Sequence, residues 1–467
     1  MRKTKITLAL FVAVLLMLTT AAGVSAGGNP PPALSSGFQL QNRSTTNSAS
    51  ISIAYYNDSG NLVETDSGTI IAGGSQSYFV PNVLGQPDGR YSVVVSSDQQ
   101  LFALVNEVTA SGASPNVAAT HNGFTGDEIG SPLYIPWVVC GYYNYNSMVA
   151  AQNAGSGPTN ITVAFYQSGQ STAVKTYTFN TVQPGGAVFL DMTKTPYKTD
   201  LGTTTANGFY GSVIIRSTSD ATPLAAVLND TNPNGAFLRS YNAVKGGSTD
   251  LVAAQVTANY YGYSSGITLQ NPDPSLSASV VISFYVSGAT SPSVVYNSSV
   301  GASSANAFYL PNIPGMPTNF NGVAVVHSSM PVIGIANHDH VPPGDAASYN
   351  LTPVSEAAQT VYMPQIVRAY YGYQSGYQLY NVGPDTVNVQ CAFKTSAGAT
   401  VTTINHSIPK GTALTYYLGD SRGAALGTNF NGGAECKITS GNGGLIGIAN
   451  FVSPLGGDAQ QVYNVFH

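Results

Sequence analysis

Along most of the chain, apolar and polar side chains alternate for five to nine residues and then break at Gly, Asn, Asp or Ser. In "ISIAYYNDSG" from Ile51 the residues Ile51, Ile53 and Tyr55 share one face, and in "ITVAFYQSGQ" from Ile161 the residues Ile161, Val163 and Phe165 do the same. Period two with a polar opposite face marks a half-buried strand. No helical period appears beyond the N-terminal leader. The pattern predicts short strands joined by tight turns.

The strands recur as a set. A strand ending in Asn appears as "FQLQN" to Asn42, "MVAAQN" to Asn153, "ITLQN" to Asn271 and "YQLYN" to Asn381, at spacings of 111, 118 and 110 residues. Each is followed by an alternating strand, then by a Gly- or Ser-rich turn into an aromatic strand ("AGGSQSYFVPN", "QPGGAVFLDM", "SSANAFYLPN", "PKGTALTYYLGD"). Next comes "PDGRYSVVVSS", "NGFYGSVIIRS", "FNGVAVVHSS" or "FNGGAECKITS", then "LFALVN", "PLAAVLN", "PVIGIAN" or "LIGIAN". Glycine beside Asn or Asp supplies the positive φ of hairpins. Seven or so strands per repeat of this size predict an all-β fold of four tandem immunoglobulin-like β-sandwich domains forming a rod, preceded by a signal peptide. The expected divisions are a signal peptide at 1–26, a first repeat at 27–125 lacking a leading strand, and further repeats at 126–245, 246–355 and 356–467.

The pattern "LQN...ITVAFY.SG...PGG...F.G...SS.P...aN" resembles the tandem β-sandwich repeats of secreted bacterial cell-surface proteins, whose units form stalks, coats or fibres. The resemblance covers essentially the whole mature chain, through motifs of strands and turns. It supplies no catalytic residues. It implies a role in surface architecture.

The leader "MRKTKITLALFVAVLLMLTTAAGVSAGG" has a basic start (Arg2, Lys3, Lys5), an apolar run and small residues at Val24-Ser25-Ala26, the pattern of a secretory signal cut near Ala26. An uncleaved anchor is the rival reading, but the apolar run is shorter than the ~20 residues of a spanning helix. The expected location is secreted, extracellular or on the cell surface, with no stable membrane span after cleavage. Charged residues make up 8% of the chain, so Ser, Thr, Asn, Gln and Tyr must hydrate the surface. Removing the leader takes three of the 16 basic residues and none of the 21 acidic ones, leaving 13 against 21. Phosphate recognition needs clustered Lys and Arg, so nucleic acid is excluded as a partner.

A tyrosine motif precedes three of the four Asn-ending strands, "GYYNYN", "YYGYSS" and "YYGYQS", each after a leading strand absent from the first repeat. The tyrosines Tyr142, Tyr143, Tyr145, Tyr260, Tyr261, Tyr263, Tyr370, Tyr371 and Tyr373 are expected at joints between successive domains, where a rigid ring with a polar tip suits a stiff interface. Sugar stacking on exposed rings is the rival reading. With four cores and three leading strands, one end should expose a strand edge, an invitation to self-association by strand addition.

Candidate chemistry is sparse. Cys391 stands where the third repeat has Ile282, and Cys436 where it has Val326, so both should face the core of the last repeat and form a disulfide, against the alternative of two buried thiols. Cys140 is left over, and a buried inert thiol is expected. "GYSSG" (Gly262 to Gly266) has the letters of a nucleophile elbow without the strand-to-helix context it needs. "HDH" (His338 to His340) offers two imidazoles but lacks a third ligand, and reads as an exposed loop. "YNDSGN" and "NPDPS" read as β-turns rather than calcium loops. No metal and no cofactor is expected. Asn42, Asn57, Asn160, Asn229, Asn297, Asn350 and Asn405 carry the Asn-x-Ser/Thr pattern of glycan acceptors.

The six His and five Glu form no repeated constellation for acid-base work, so no enzyme activity is expected. The expected function is that of a secreted structural protein, a repeat-built rod assembling head-to-tail into a surface coat or filament, or serving as a stalk. The alternative is an adhesin or glycan-binding protein using Tyr-rich faces, with surface glycans as partners. The direction in which the tyrosines point discriminates the two.

Overall fold

The computed structural model describes residues 33–467 apart from 84–87, 112, 113, 115, 203, 205–206, 233–236, 341–343 and 454–459, together with the backbone of 10–16. The leader's basic start and the cleavage site at Val24-Ser25-Ala26 lie outside the described residues.

The first unit consists of β1 (Leu10–Leu16), β2 (Leu34–Asn42), β3 (Ala49–Asn57), β4 (Leu62–Ile70), β5 (Ser75–Phe79), β6 (Tyr91–Ser97), β7 (Leu101–Thr109) and β8 (Ala118–Asn122). These form two antiparallel sheets, β1-β6-β3-β4 and β5-β2-β7-β8. The second has β9 (Leu133–Tyr142), β10 (Tyr145–Asn153), β11 (Thr159–Gln167), β12 (Lys175–Val182), β13 (Ala187–Asp191), β14 (Phe209–Ser217), β15 (Leu224–Asn232) and β16 (Phe237–Asn242). Here the layers β12-β11-β14-β9 and β13-β10-β15-β16 are joined through the β9–β10 hairpin. The third has β17 (Ser248–Ala258), β18 (Tyr263–Gln270), β19 (Ala278–Val286), β20 (Val294–Val300), β21 (Ala305–Tyr309), β22 (Phe320–His340), β23 (Ala346–Asn350) and β24 (Thr352–Pro353). The long β22 serves both layers, pairing with β17 and β19 in its first half and with β18 and β23 in its second. The fourth has β25 (Thr360–Tyr370), β26 (Tyr373–Asn381), β27 (Val387–Thr395), β28 (Thr400–Ile408), β29 (Ala413–Tyr417), β30 (Phe430–Ser440), β31 (Leu445–Val452) and β32 (Gln461–Asn464), ordered as in the second.

Each unit is sandwich-like, with the predicted alternation buried between its layers: Ile53, Tyr55 and Val95 in the first, Val163, Phe165 and Ile215 in the second. The recurring Asn at the end of the second strand explains itself. Asn42, Asn153, Asn271 and Asn381 are almost completely buried, and each amide bridges two carbonyls of the turn and the neighbouring strand, as Asn153 does with Gly157 and Val182, both at 2.9 Å. Each Oδ1 accepts the backbone N–H two residues on, at 2.9 Å for Ser44 and Gly155. A turn entering a dry interior needs these bonds satisfied.

The units do not form the expected rod. The four closing strands β8, β16, β23 and β32 pack side by side in a closed cycle. Around that axis the amide of Asn242 donates to the carbonyl of Asn122 (2.9 Å), Asn350 to Asn242 (2.8 Å), Asn464 to Asn350 (2.7 Å) and Asn122 to Asn464 (3.0 Å). The fourth unit therefore returns to the first, and the chain is a pseudo-fourfold ring. Further out, the Ser/Gly turn of one unit meets the Gly- or Ser-rich turn of the next: Ser168 donates to Ala305 (2.8 Å), Ser287 to Ala413 (3.5 Å), and the Ser75 N–H to Ser396 (3.0 Å), while Ser92 of β6 donates to the Gly185 carbonyl. The cores are also continuous across these borders. Phe102 and Leu104 of the first unit belong to the core of the fourth, and Ile446, Ile448 and Val462 of the fourth to that of the third.

Candidate functional site

The tyrosine motifs occupy hairpin tips. Each leading strand (β9, β17, β25) pairs with β14, β22 or β30 of the unit that follows it and then reverses into β10, β18 or β26, so the motif is a turn inside a unit. This corrects the expected placement of these tyrosines at joints between domains, which are built instead from the axial Asn residues and the Ser/Gly turns. At the tips two successive residues take positive φ: Tyr143 (47°) and Asn144 (67°), Tyr261 (48°) and Gly262 (85°), Tyr371 (48°) and Gly372 (84°). Such two-residue turns favour Asn or Gly at the first position, because a side chain with a Cβ costs roughly 1–2 kcal/mol in the left-handed region. All three tips hold tyrosine there, and the rings are exposed to 66%, 80% and 79%.

Behind each exposed ring stands a second, met edge to face: Tyr142 at 4.6 Å, Tyr260 at 4.7 Å and Tyr370 at 4.6 Å between centroids. In the second unit the array continues to Tyr210, 4.6 Å from Tyr142, and to the chain's only tryptophan, Trp137, 5.8 Å from Tyr210. Tyr145 lies against Phe237, Tyr263 stacks on His340 at 4.3 Å, and Tyr373 packs against the core of its unit. The ring symmetry brings the three tips to the same end of the molecule, each a polar-edged aromatic plane held on a strained turn. The sequence ahead of β2 in the first unit carries no tyrosine motif.

That end also carries a buried ionic cluster that pattern reading passed over. Arg239, in the strand "FLRSYN", is 3% exposed and pairs with Asp230 at 2.6 Å and with Asp339 of the third unit at 2.8 Å. Asp230 also accepts from Trp137 Nε1 (3.1 Å) and Ser147 (2.7 Å). A charged residue in a closing strand whose siblings "AATHN", "AASYN" and "QVYN" hold no charge was the available signal.

The remaining candidates are placed as follows. "HDH" is strand, not the expected exposed loop: His338 is buried, its Nε2 donating to the Gln255 carbonyl at 2.7 Å. Asp339 serves Arg239, and His340 lies on Tyr263. No group of three or more His, Cys, Asp or Glu able to hold a metal occurs among the described residues. Ser264 and Ser265 of "GYSSG" start strand β18 and accept backbone N–H groups of Asn259 and Thr257. Cys140 is buried, and burial pushes its thiol up to about 11. Cys391 and Cys436 form a disulfide between directly paired positions of β27 and β30, which fits an oxidising environment. No helix of the described residues is long and apolar enough to cross a membrane. Of the glycan acceptors, Asn160, Asn297 and Asn405 are exposed and Asn57 is half-buried. Asn42 and Asn229 are interior, with their amides bonded to backbone carbonyls and to Glu107, which leaves no room for a sugar. Asn350 is engaged in the axial ring.

Burial lowers His338 from 6.5 to about 4. Its ring stays neutral in the folded chain while the unfolded chain takes up a proton near pH 6.5. Its contribution is therefore complete above that pH and is lost as pH falls towards 4. The fourth unit has Phe451 at this place, packed on Tyr463 as His338 is on Tyr349. His338→Phe should make the urea midpoint less acid-sensitive, by roughly 2 kcal/mol between pH 7 and 4.5.

No protein-family model matches the chain, and no curated protein sequence matches it. Among solved structures it is similar to Thermotoga maritima 1070, at 14% identity and a TM-score of 0.19 over 25% of this chain and 91% of that one. It is also similar to the major pilin of Streptococcus pyogenes, at 10% identity and a TM-score of 0.14 over 58% of this chain and 96% of that one. A GH78 family rhamnosidase of Bacillus sp. GL1 follows at 10% identity and a TM-score of 0.13, over 76% of this chain and 56% of that one. Scores this low carry no argument about fold or function.

Proposed function

We propose that this chain is a non-enzymatic, secreted protein of the cell surface, a rigid ring that presents aromatic tips to a surface polysaccharide. One observation carries the reading: Tyr143, Tyr261 and Tyr371 stand exposed at the same hairpin position in three units, on left-handed backbone that other residues would occupy at lower cost. Strain kept at an exposed position points to use. A flat ring with a hydroxyl edge suits the apolar face and hydroxyls of a sugar. Three tips on one end let weak contacts add by multivalency. Self-association belongs to the same proposal, with the outer strands β4, β12, β20 and β28 as the edges open to a second copy.

The test is retention on insoluble β-glucan, chitin and peptidoglycan, with Trp137 fluorescence as a local reporter for the second unit. Tyr143→Gly, Tyr261→Gly and Tyr371→Gly together should lower retention by roughly tenfold or more. The same triple variant should unfold at a higher urea concentration, because each glycine relieves about 1 kcal/mol of backbone strain. Unchanged retention, or a destabilised variant, overturns the reading.

A further inference from the structure

Strands β6, β14, β22 and β30 each need a leading strand on the side away from β3, β11, β19 and β27, yet only three leading strands follow from the repeats. The fourth is the leader. Strand β1 (Leu10–Leu16) runs antiparallel to β6, with Val12 opposite Val95 and Val14 opposite Val93. The register within each unit fixes the equivalent rungs, because Val95, Ile215, Val326 and Cys436 all face the same position of the preceding strand: Ile53, Val163, Ile282 and Cys391. At that rung the leading strands present Leu133, Leu251 and Val361, where the leader presents Val12. Two residues on they present Ile135, Ala253 and Met363, where the leader presents Val14. Direction, register and apolar character agree at both rungs.

The slot differs from its siblings in how the strand is held. In the other three units a buried tyrosine of the closing strand donates its hydroxyl to a bulged carbonyl of the leading strand: Tyr241 to Trp137, Tyr349 to Gln255 and Tyr463 to Gln365. In the first unit His121 stands at that place, its ring bonded to the Asn122 carbonyl. The slot lies at the border with the second unit, β1 running beside β7 and β15. An empty slot would leave the free backbone groups of β6 beside the buried side chains Val93 and Val95, and unpaired groups there are costly.

The structure assigns to the β6 edge a strand-acceptor site for an extended apolar peptide, with the chain's own Leu10–Leu16 as its occupant. Bound there, the segment completes the first unit and its border with the second, so the folded chain keeps Leu10–Leu16 instead of losing it by the expected cut near Ala26. The assignment is independent of the polysaccharide reading, since the tips lie in the other three units.

Hydrogen exchange on the full chain tests it. Amides of Tyr91–Ser97 should be protected as well as those of Val213–Ser217 in β14. In Val12→Asp/Val14→Asp the β6 amides that face away from β3 should exchange roughly tenfold faster or more, with β14 unchanged. A second variant reads the register: Val14→Cys/Val93→Cys should cross-link on oxidation, seen as a mass loss of two hydrogens, whereas Val14→Cys/Val95→Cys should not. Equal β6 exchange with and without the aspartates, or cross-linking of the shifted pair in place of the matched one, overturns the assignment.

Discussion

Replacing Arg239 by methionine should destabilise the ring by roughly 3–5 kcal/mol, the cost of leaving a buried carboxylate without its cation. Asp230 is 1% exposed, and its oxygens are committed to Arg239, Trp137 Nε1 and Ser147. Methionine would fill much of the space between Tyr145 and Phe237, over which the guanidinium now lies at 5.5 and 5.1 Å. The loss would then be electrostatic and not a cavity. Asp230→Asn in the methionine background should recover most of it, since it removes the uncompensated charge while its oxygen can still accept from Trp137 Nε1 and its NH2 can donate to the Ser147 hydroxyl. Asp339 belongs to the next unit and is 29% exposed on its side chain, so Asp339→Asn alone should cost far less, about 1 kcal/mol. Urea unfolding followed by Trp137 fluorescence measures all four proteins. A loss under 1 kcal/mol in Arg239→Met would mean that the buried pair contributes nothing net to the fold.

Period-two alternation made the strands legible because a half-buried sheet leaves no other solution for residues such as Ile51, Ile53 and Tyr55. Alignment of the repeats made the cysteine pair legible, since Cys391 and Cys436 replace residues that face each other in a sibling. Ring closure was not legible. It depends on Asn122, Asn242, Asn350 and Asn464, polar residues whose hydropathy says only turn or surface, and the first of them follows His121 where the others follow tyrosine. The tyrosine hairpins were misplaced for a related reason: sequence does not say whether a leading strand pairs backwards or forwards, and forward pairing turns an inter-domain joint into an intra-unit tip. The leader's apolar run suits a signal or a buried strand equally, and periodicity cannot separate the two. Among candidate ligand contacts, the exposed Tyr143, Tyr261 and Tyr371 could be named from the motif, but their left-handed backbone could not.

Removing the disulfide should reveal whether the ring unfolds as one body. Cys391→Ile/Cys436→Val installs the residues that the third unit holds at the same rung, Ile282 and Val326, so the core stays filled and the cross-link alone is lost. The bridge closes 45 residues of chain, and the loop-entropy model sets its worth at about 4 kcal/mol. Both sulfurs lie in the fourth unit, whereas Trp137 lies in the second, across the axis. Were the four units independent, as beads on a rod would be, the Trp137 transition would not respond to the exchange. The continuous cores argue otherwise: Phe102 of the first unit lies within the fourth, and Ile335 of the third lies within the second. A chain so joined loses its borders when any unit melts, and the cyclic Asn ladder opens with the first strand to leave it. The urea midpoint seen at Trp137 should therefore fall together with that of the fourth unit, by the same free energy. A Trp137 transition that stays in place while the far-UV signal splits into two steps would show that the axial contacts are too weak to couple the units.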